Sequence, residues 1–163
     1  MSRELVLDNH VLSKYFFDNT VLWGIVSSLS IYDFCHVLNV SLRLNLVRRV
    51  DLDLAYYQTR NDFMPVDLFS QQAPEIFADT IYFPVYRQQL ELSDADIILY
   101  TNKHNGHTLV PSQRNLDYFI LVKNGLYHVH LQEIHKYLNQ VRKISSCIKI
   151  NLENQKWIDN LIL

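Results

Sequence analysis

Glycine, proline and cysteine are scarce in this sequence: its 163 residues include 3 Gly, 4 Pro and 2 Cys. Long flexible loops and glycine-rich phosphate-binding loops need the first two residue types, so the composition excludes a large contribution from either. The cysteines, Cys35 and Cys147, lie in apolar stretches without the C-x-x-C spacing of zinc or redox sites. We interpret them as buried free thiols, and we expect the protein to reside in a reducing compartment, the cytoplasm.

A dominant charge and a long hydrophobic run are also missing. The formal net charge is −2, so no overall basic field concentrates the chain on a nucleic acid or an anionic membrane. The longest apolar segments, such as residues 21–31, are interrupted by Gly and Ser and are shorter than the roughly 20 residues of a spanning helix. No signal-peptide pattern opens the sequence. From these features we predict no membrane partner and no nucleic-acid partner.

The composition is that of a folded chain. Hydrophobic residues make up 48 % of the sequence and charged residues 20 %, unlike the low hydrophobicity and high charge of disordered chains. A chain of this length buries about two-thirds of its unfolded surface around one core. Because no repeat, low-complexity tract or linker divides the sequence, we expect a single domain over residues 1–163.

Two helices are indicated by apolar residues at helical spacing. The first, at about residues 30–43, begins with Ser30 as a favourable N-cap and Asp33 three positions later. The second, at about residues 129–143, carries an apolar stripe opposite a polar face. The members of this stripe are Leu131, Ile134, Leu138 and Val141.

Strands are predicted from β-prone or alternating runs. The predicted strands are residues 20–26, 50–54, 78–92, 96–101, 107–110, 116–122 and 147–150. Pro84 lacks an amide N–H and should mark an edge, a bulge or a break in the third of them, whereas Asn105 and Gly106 tolerate the positive φ of a hairpin turn. The sequence therefore predicts an α+β fold, in which a mainly antiparallel sheet, a meander, packs against the two helices.

Residues 110–119 resemble the signature of a family of small bacterial proteins that is named IPExxxVDY after this motif. Pro111, Asp117 and Tyr118 match the signature, and apolar residues stand at its first and valine positions. Ser112 occupies the position of the family's Glu, so any function of that glutamate is absent from this chain. Residues 23–39 are also similar to a segment of that family that leads from an Ile-Ser-Ser run into a helix. The resemblance implies no activity, cofactor or ligand.

The motif also has a structural interpretation. Pro111 ends one strand because it cannot donate to a ladder. Asp117 accepts backbone N–H bonds that tie the loop, and Tyr118 packs its ring with its hydroxyl bonded. The alternative is a partner-binding loop, whose site residues are Pro111, Arg114, Asp117 and Tyr118.

Catalytic patterns are absent from the sequence. It contains neither G-x-S-x-G nor a reactive-cysteine signature, and Cys35 and His36 point about 100° apart because they are adjacent on a helix. Nothing in the spacing of Asp94, Asp96 and Asp117 brings two of these carboxyl groups into one cleft. We therefore predict no catalytic residue.

Seven histidines raise a metal hypothesis, since imidazole is a common ligand of transition metals. Those close together along the chain are His104, His107, His128, His130 and His135. Their spacing is not specific: no H-E-x-x-H is present, and no Cys is near enough to complete a zinc site. We predict no metal ligand and no cofactor, and a metal-dependent enzyme or regulator that uses these histidines stays the alternative.

Aromatic residues on the predicted strands suggest a second alternative, an RNA-binding protein whose sheet face stacks on bases. They are Tyr82, Tyr86, Tyr100, Tyr118 and Phe119. Basic residues beside them are few, so we interpret these rings as core and cross-strand packing.

These features predict a small non-enzymatic protein that binds another macromolecule, a protein, as an interaction or adaptor module. The apolar C-terminal end and the leucine-rich helices carry more apolar surface than one antiparallel sheet covers. A homodimer is therefore also predicted.

Overall fold

The structure of the chain, a computed structural model, describes residues 15–59, 78–91, 93–125, 128, 131, 134–153 and 155–163. The strands and helices in these residues are, in chain order, β1 Thr20–Ser27, α1 Ile31–Leu42, β2 Val47–Arg48, β3 Leu54–Thr59, β4 Ala78–Phe83, β5 Val85–Gln89, β6 Asp96–Thr101, β7 Lys103–His104, β8 His107–Thr108, β9 Tyr118–Lys123, α2 Ile134–Leu138 and β10 Ile144–Ile150. Short 3-10 turns lie at Val50–Leu52, Pro111–Gln113 and Lys156–Leu161.

Six strands form one antiparallel sheet in the order β10-β1-β9-β6-β5-β2. β5, β6 and β9 are neighbours in the order in which the chain makes them, as in a meander, and β1 lies between β9 and β10. Two ribbons, β3 with β4 and β7 with β8, complete the strands. The predicted α+β fold, a mainly antiparallel sheet packed against two helices, is confirmed.

Both faces of this sheet are covered. On the face that α1 and α2 cover, which we call the helix face, the core includes Trp23, Phe34, Leu38, Ile120 and Ile134. On the opposite face, which we call the ribbon face, β4, the loop after β8 and the last 3-10 turn supply the core residues Phe83, Val110 and Leu161. Because side chains alternate between faces along a strand, β6 and β9 must be apolar at nearly every position. Residues 116–122 were predicted to be such a central strand, and β9 is one.

α1 begins and ends as the sequence predicts. The Ser30 hydroxyl accepts the N–H of Asp33 at 3.2 Å and donates to its carboxylate at 2.8 Å, which is the capping arrangement expected at a helix start. Arg43 takes a left-handed conformation with a φ of 54°, and its N–H reaches the carbonyl of Asn39. The predicted helix at about 30–43 is confirmed.

The predicted strand at residues 50–54 is wrong. Val50–Leu52 forms a 3-10 turn, and β3 begins only at Leu54. The acidic residues in this stretch form ion pairs at the turn, Asp51 with Arg49 and Asp53 with Arg48. The alternation of apolar and acidic residues therefore does not reflect side chains that alternate between the faces of a sheet. β3 then pairs with β4.

The second helix ends earlier than predicted. α2 stops at Leu138, and Asn139, Gln140 and Val141 close successive turns that lead into β10 at Ile144. Arg142 and Lys143 therefore lie in the connection and not in the last helical turn. Residues 129, 130, 132 and 133, where this helix was predicted to begin, lie outside the described residues, as do residues 60–77.

Pro84 lies between two strands that belong to different sheets, and Gly24 lies where neighbouring side chains pack closely against β1. Pro84 separates β4 from β5, so the single strand predicted at residues 78–92 is two strands, which belong to different sheets. A Cβ on Gly24 would lie 2.6 Å from Leu116 Cδ1 and 2.9 Å from Ile150 Cδ1. The missing side chain therefore lets Leu116 and Ile150 close over β1 on the ribbon face.

In the described part of the chain, no helix combines the length and the apolar composition that crossing a bilayer requires.

Candidate functional site

The motif loop, residues 109–117, is organised around Asn102. This side chain is fully buried, its Nδ2 donates to the carbonyls of Gln113 at 2.9 Å and Leu116 at 2.8 Å, and its Oδ1 accepts the N–H of Val110 at 2.9 Å. Its backbone N–H also donates to the carbonyl of Asp117 at 2.9 Å. One amide side chain thus bonds three backbone groups of the loop. Of these, the Gln113 carbonyl also accepts the Leu116 N–H at 3.0 Å, whereas the Leu116 carbonyl and the Val110 N–H depend on Asn102.

Asp117 ties this loop to the sheet. One carboxylate oxygen accepts the N–H of Ser27 at 2.8 Å, and the other pairs with Lys103 Nζ at 2.7 Å. Both oxygens are therefore engaged within the chain. The contact with Ser27 is the kind of backbone bond that the structural interpretation of the motif predicts.

Tyr118 is held by contacts on the helix face. Its ring stacks on Phe34 with centroids 4.7 Å apart, and its hydroxyl donates to the carbonyl of Leu29 at 2.7 Å. Burial, assisted by the negative charges of Asp117 and Asp33, raises the pKa of Tyr118 to about 12. The hydroxyl consequently remains protonated and bonded at neutral pH.

Pro111 and Arg114 complete the predicted binding loop. Pro111 opens the 3-10 turn Pro111–Gln113, and both side chains are exposed. Of the four predicted site residues, Asp117 and Tyr118 therefore bond to other parts of the chain, whereas the side chains of Pro111 and Arg114 lie on the surface. Only the latter two can contact a partner without rearrangement.

Both cysteines are free thiols buried in the core of the helix face. Cys35 Sγ contacts the carbonyl of Leu46 at 3.6 Å on the helix face, and burial raises the pKa of its thiol. Burial also raises the pKa of Cys147 to about 12. Both groups are held as thiols, and thiols are poor nucleophiles.

The carboxylates named in the sequence analysis do not converge. Asp96 forms a two-pronged ion pair with Arg87, with contacts between 2.7 and 3.1 Å. It lies at the opposite end of β6 from Thr101, which pairs with Tyr118 next to Asp117. Asp94 is exposed. The chain thus places these three carboxyl groups in separate environments.

The histidines are dispersed as well. His104 and His107 face each other across β7 and β8, beyond the turn in which Asn105 and Gly106 have φ values of 49° and 80°. His128 Nε2 lies 3.1 Å from Ser93 Oγ, and His135 stacks on Trp23 at 5.3 Å. Among the residues that the structure describes, no three His, Cys, Asp or Glu side chains group closely enough to hold a metal ion. His130 is outside them.

Four of the five strand aromatics are interior. Tyr86 and Tyr118 belong to the core of the helix face, and Tyr100 and Phe119 belong to that of the ribbon face. Tyr82 is 58 % exposed. These rings therefore do not form one exposed face on which bases could stack, and their interpretation as core packing agrees with their burial.

The two edges of the six-stranded sheet differ. At one edge, β2 has only two residues, and the chain after it is fixed by Asp53, which accepts the N–H of Val85 at 3.0 Å and pairs with Arg48 at 2.6 Å. Short strands and charged side chains are the usual protection of a sheet edge. This edge is therefore short and carries a charged side chain, both of which disfavour pairing with another strand.

At the other edge, the seven-residue strand β10 has β1 as its partner on one side and no strand among the described residues on the other. Its outward backbone groups are therefore available for pairing within the described structure. Ile148 on this strand is 49 % exposed, and β10 contains no proline. A long edge strand without proline is a template for another strand.

The environment of β10 is cationic. No Asp or Glu occurs in residues 134–152, whereas Arg142, Lys143 and Lys149 all have exposed side chains. By contrast, Arg48, Arg87 and Lys103 elsewhere in the chain are each paired with a carboxylate. The surface around β10 thus carries an excess of positive charge.

A hollow lies where β10 leaves β1. Pairing between the two strands begins at Leu22 and Ile150, so Thr20 and Val21 of β1 have no β10 neighbour. The resulting hollow has a volume of about 370 Å³, and its described walls are Thr20, Val21, Lys149, Ile150, Asn151 and Leu152. A second hollow of about 210 Å³ adjoins it, because Thr20 and Val21 line both.

Sequence reasoning missed both Asn102 and the β10 edge. Asn102 lies in a polar stretch, Thr-Asn-Lys, that is indistinguishable from a surface turn. The edge position of β10 depends on strand order, which no local pattern contains. One signal was present, namely the lack of acidic residues over 134–152.

No family model matches the chain, and no curated protein or solved structure is detectably similar to it. The resemblance of residues 110–119 to the IPExxxVDY signature therefore stays a prediction.

Proposed function

We propose that this chain is a non-enzymatic protein-interaction module that binds an extended segment of its partner as an added strand along β10. The observation that carries the proposal is the contrast between the two sheet edges. The β2 edge offers only two residues, whereas β10 offers seven residues without a strand neighbour in the described structure.

Strand addition uses backbone hydrogen bonds for affinity and nearby depressions for side-chain specificity. Both elements occur at β10. Its outer backbone groups supply the first, and the hollow beside Lys149 and Ile150 supplies the second. Ile148 adds an exposed apolar contact at the middle of the edge.

A matched pair of variants tests the proposal. Ile148→Lys places a charge on the edge, a substitution that opposes strand pairing, and Val40→Lys places the same charge on α1, where Val40 is 65 % exposed. Each immobilised variant is incubated with lysate of the source cells, and bound proteins are quantified by mass spectrometry. We expect the wild type and Val40→Lys to retain a protein that Ile148→Lys loses.

Cross-linking locates the contact. With a photo-reactive amino acid in place of the exposed Ser145, irradiation should join the retained protein to β10. Retention by Ile148→Lys together with loss by Arg114→Glu would instead identify the motif loop as the binding surface, and that result would overturn strand addition.

The homodimer stays a separate prediction. Part of the apolar C-terminal surface from which it was inferred is used within the chain, because Leu161 is buried on the ribbon face and its carbonyl accepts the Tyr100 hydroxyl at 2.8 Å. Sedimentation over a range of concentrations tests it. A species that stays at 19.3 kDa would contradict the homodimer.

A further inference from the structure

The side chains of β10 are sorted between the two faces of the sheet. Lys149 pairs with Trp23 and therefore projects on the helix face, whereas Ile148 pairs with Gly24 and projects on the ribbon face. Ile150, opposite Leu22, follows Ile148 on the ribbon face. A strand added beside β10 meets a cation on one face and isoleucines on the other.

The excess charge extends beyond the strand. Arg142 and Lys143 immediately precede β10, both are exposed, and neither forms an ion pair with a carboxylate in the described part of the chain. The same holds for Lys149. Opposite charges across neighbouring strands are favourable and like charges are unfavourable. These three cationic side chains therefore favour an added strand that carries negative charge.

We infer that the partner segment is acidic and amphipathic, with carboxylate side chains on the helix face of the extended sheet alternating with apolar side chains on its ribbon face. This inference rests on the proposed strand addition. An apolar side chain at the end of the segment fits the 370 Å³ hollow, whose walls include Val21, Ile150 and Leu152.

The same charges disfavour a second copy of this chain as the occupant. Pairing β10 with its own copy brings Arg142, Lys143 and Lys149 from both chains to one interface, where they repel each other. Charged residues on an edge strand are a common defence against such self-pairing. An acidic segment converts this defence into attraction.

Synthetic octapeptides test the sign and the pattern of charge. The probe is an alternating Glu-Val octapeptide with a fluorescent label, compared with alternating Gln-Val and Lys-Val octapeptides and with a block peptide of four Glu followed by four Val. A fifth peptide repeats Glu-Val with every second amide N-methylated, which removes the donors needed for strand pairing. Binding to the full chain is measured by fluorescence anisotropy.

We expect the alternating Glu-Val peptide to bind more tightly than the other four. Its affinity should fall about tenfold in Lys149→Glu, because attraction becomes repulsion across the edge, and should fall as salt is raised from about 50 mM to about 500 mM. Arg114→Glu is the matched control, since Arg114 is an exposed cation in the motif loop, and it should bind like the wild type. Circular dichroism confirms that both variants are folded.

The outcomes separate the two proposals. Equal binding of Glu-Val and Gln-Val, lost on N-methylation, would overturn the acidic segment and keep strand addition. Binding of the N-methylated peptide as tightly as its parent would overturn strand addition at this edge. The acidic segment would also be overturned if Glu-Val did not bind, or if Arg114→Glu abolished its binding and Lys149→Glu did not. A dimer detected by sedimentation and dissociated by Ile148→Lys would identify a second copy of the chain as the occupant.

Discussion

Asn102 shows how one residue determines the shape of a loop that carries a family-like motif. The loop contributes carbonyls and an N–H that face the protein interior, and Asn102 reaches three of them with its side chain. The motif residues Asp117 and Tyr118 then fix the end of the loop to β1 and α1 through Ser27, Leu29 and Phe34. At this scale the sequence indicated the roles of the motif residues but not that of Asn102, since burial of an amide is a tertiary property.

Replacing Asn102 tests this role. Asn102→Ala leaves the Leu116 carbonyl and the Val110 N–H without their partner, whereas the Gln113 carbonyl still accepts the Leu116 N–H. Each buried group without a partner costs about 1–3 kcal/mol. We expect the free energy of unfolding to fall by about 2–4 kcal/mol, measured by urea denaturation. Asn115→Ala, in the exposed turn of the same loop, is the control and should change stability by no more than about 0.5 kcal/mol. Equal effects would contradict the role of Asn102.

Tyr118 predicts a loss of stability in alkali. Its pKa is raised to about 12 in the folded chain, whereas an unfolded tyrosine titrates near pH 10. The folded state therefore keeps a proton that the unfolded state releases, so the contribution is complete below about pH 10 and is lost as the pH rises to about 12. Between about pH 10 and about pH 12, the free energy of unfolding of the wild type should fall by about 2–3 kcal/mol more than that of Tyr118→Phe. Urea denaturation at each pH measures both. Equal losses in the two chains would contradict this account.

At the scale of elements, a helix or strand could be predicted from the sequence where contacts between residues close along the chain determine it. The bounds of β6 at 96–101 were predicted correctly because the β-prone run 97–101 follows a turn-like segment, and α1 was predicted from its cap. The turn at Val50–Leu52 was missed because ion pairs, not burial, set its alternation. The end of α2 was missed because the apolar stripe continues to Val141 while the backbone already turns toward β10.

Gly24 provides a test of packing between elements. Gly24→Ala puts a Cβ against Leu116 and Ile150, and overpacking of this kind costs about 1–3 kcal/mol. The double variant Gly24→Ala with Leu116→Val should be more stable than the sum of the single effects predicts, because valine relieves the shorter of the two close contacts, the one with Leu116 Cδ1. Thermal and urea unfolding of the four chains measure this coupling. Simple additivity of the two substitutions would contradict the proposed contact.

At the scale of the whole molecule, one sheet serves two cores. β1, β6 and β9 contribute alternate side chains to the helix face and to the ribbon face, so neither core can lose its strands without exposing the other. The strand order that creates this arrangement joins segments far apart along the chain. Sequence patterns indicated the central strands but not their neighbours, and the β10 edge emerged only from the assembled sheet.

The two tryptophans report on the two cores separately. Trp23 is buried on the helix face, and Trp157 packs against Phe119 on the ribbon face with ring centroids 5.5 Å apart. Variants that retain one of them, Trp157→Phe and Trp23→Phe, should each show a fluorescence transition in urea that coincides with that of circular dichroism in the same variant, as two-state unfolding requires. Transitions separated within one variant would contradict a single cooperative unit, and with it the predicted single domain.

The position of β1 has a consequence for synthesis. β1 is the first of the six strands to be made, yet both of its neighbours, β9 and β10, come much later, and its contact between Ser27 and Asp117 joins residues 90 positions apart. At about 5–20 residues per second, a ribosome needs several seconds or more to deliver that interval. Throughout this time Leu22, Trp23 and Ile25 lack their strand neighbours, so the nascent polypeptide exposes an apolar segment that is prone to aggregation until β9 and β10 have been synthesised.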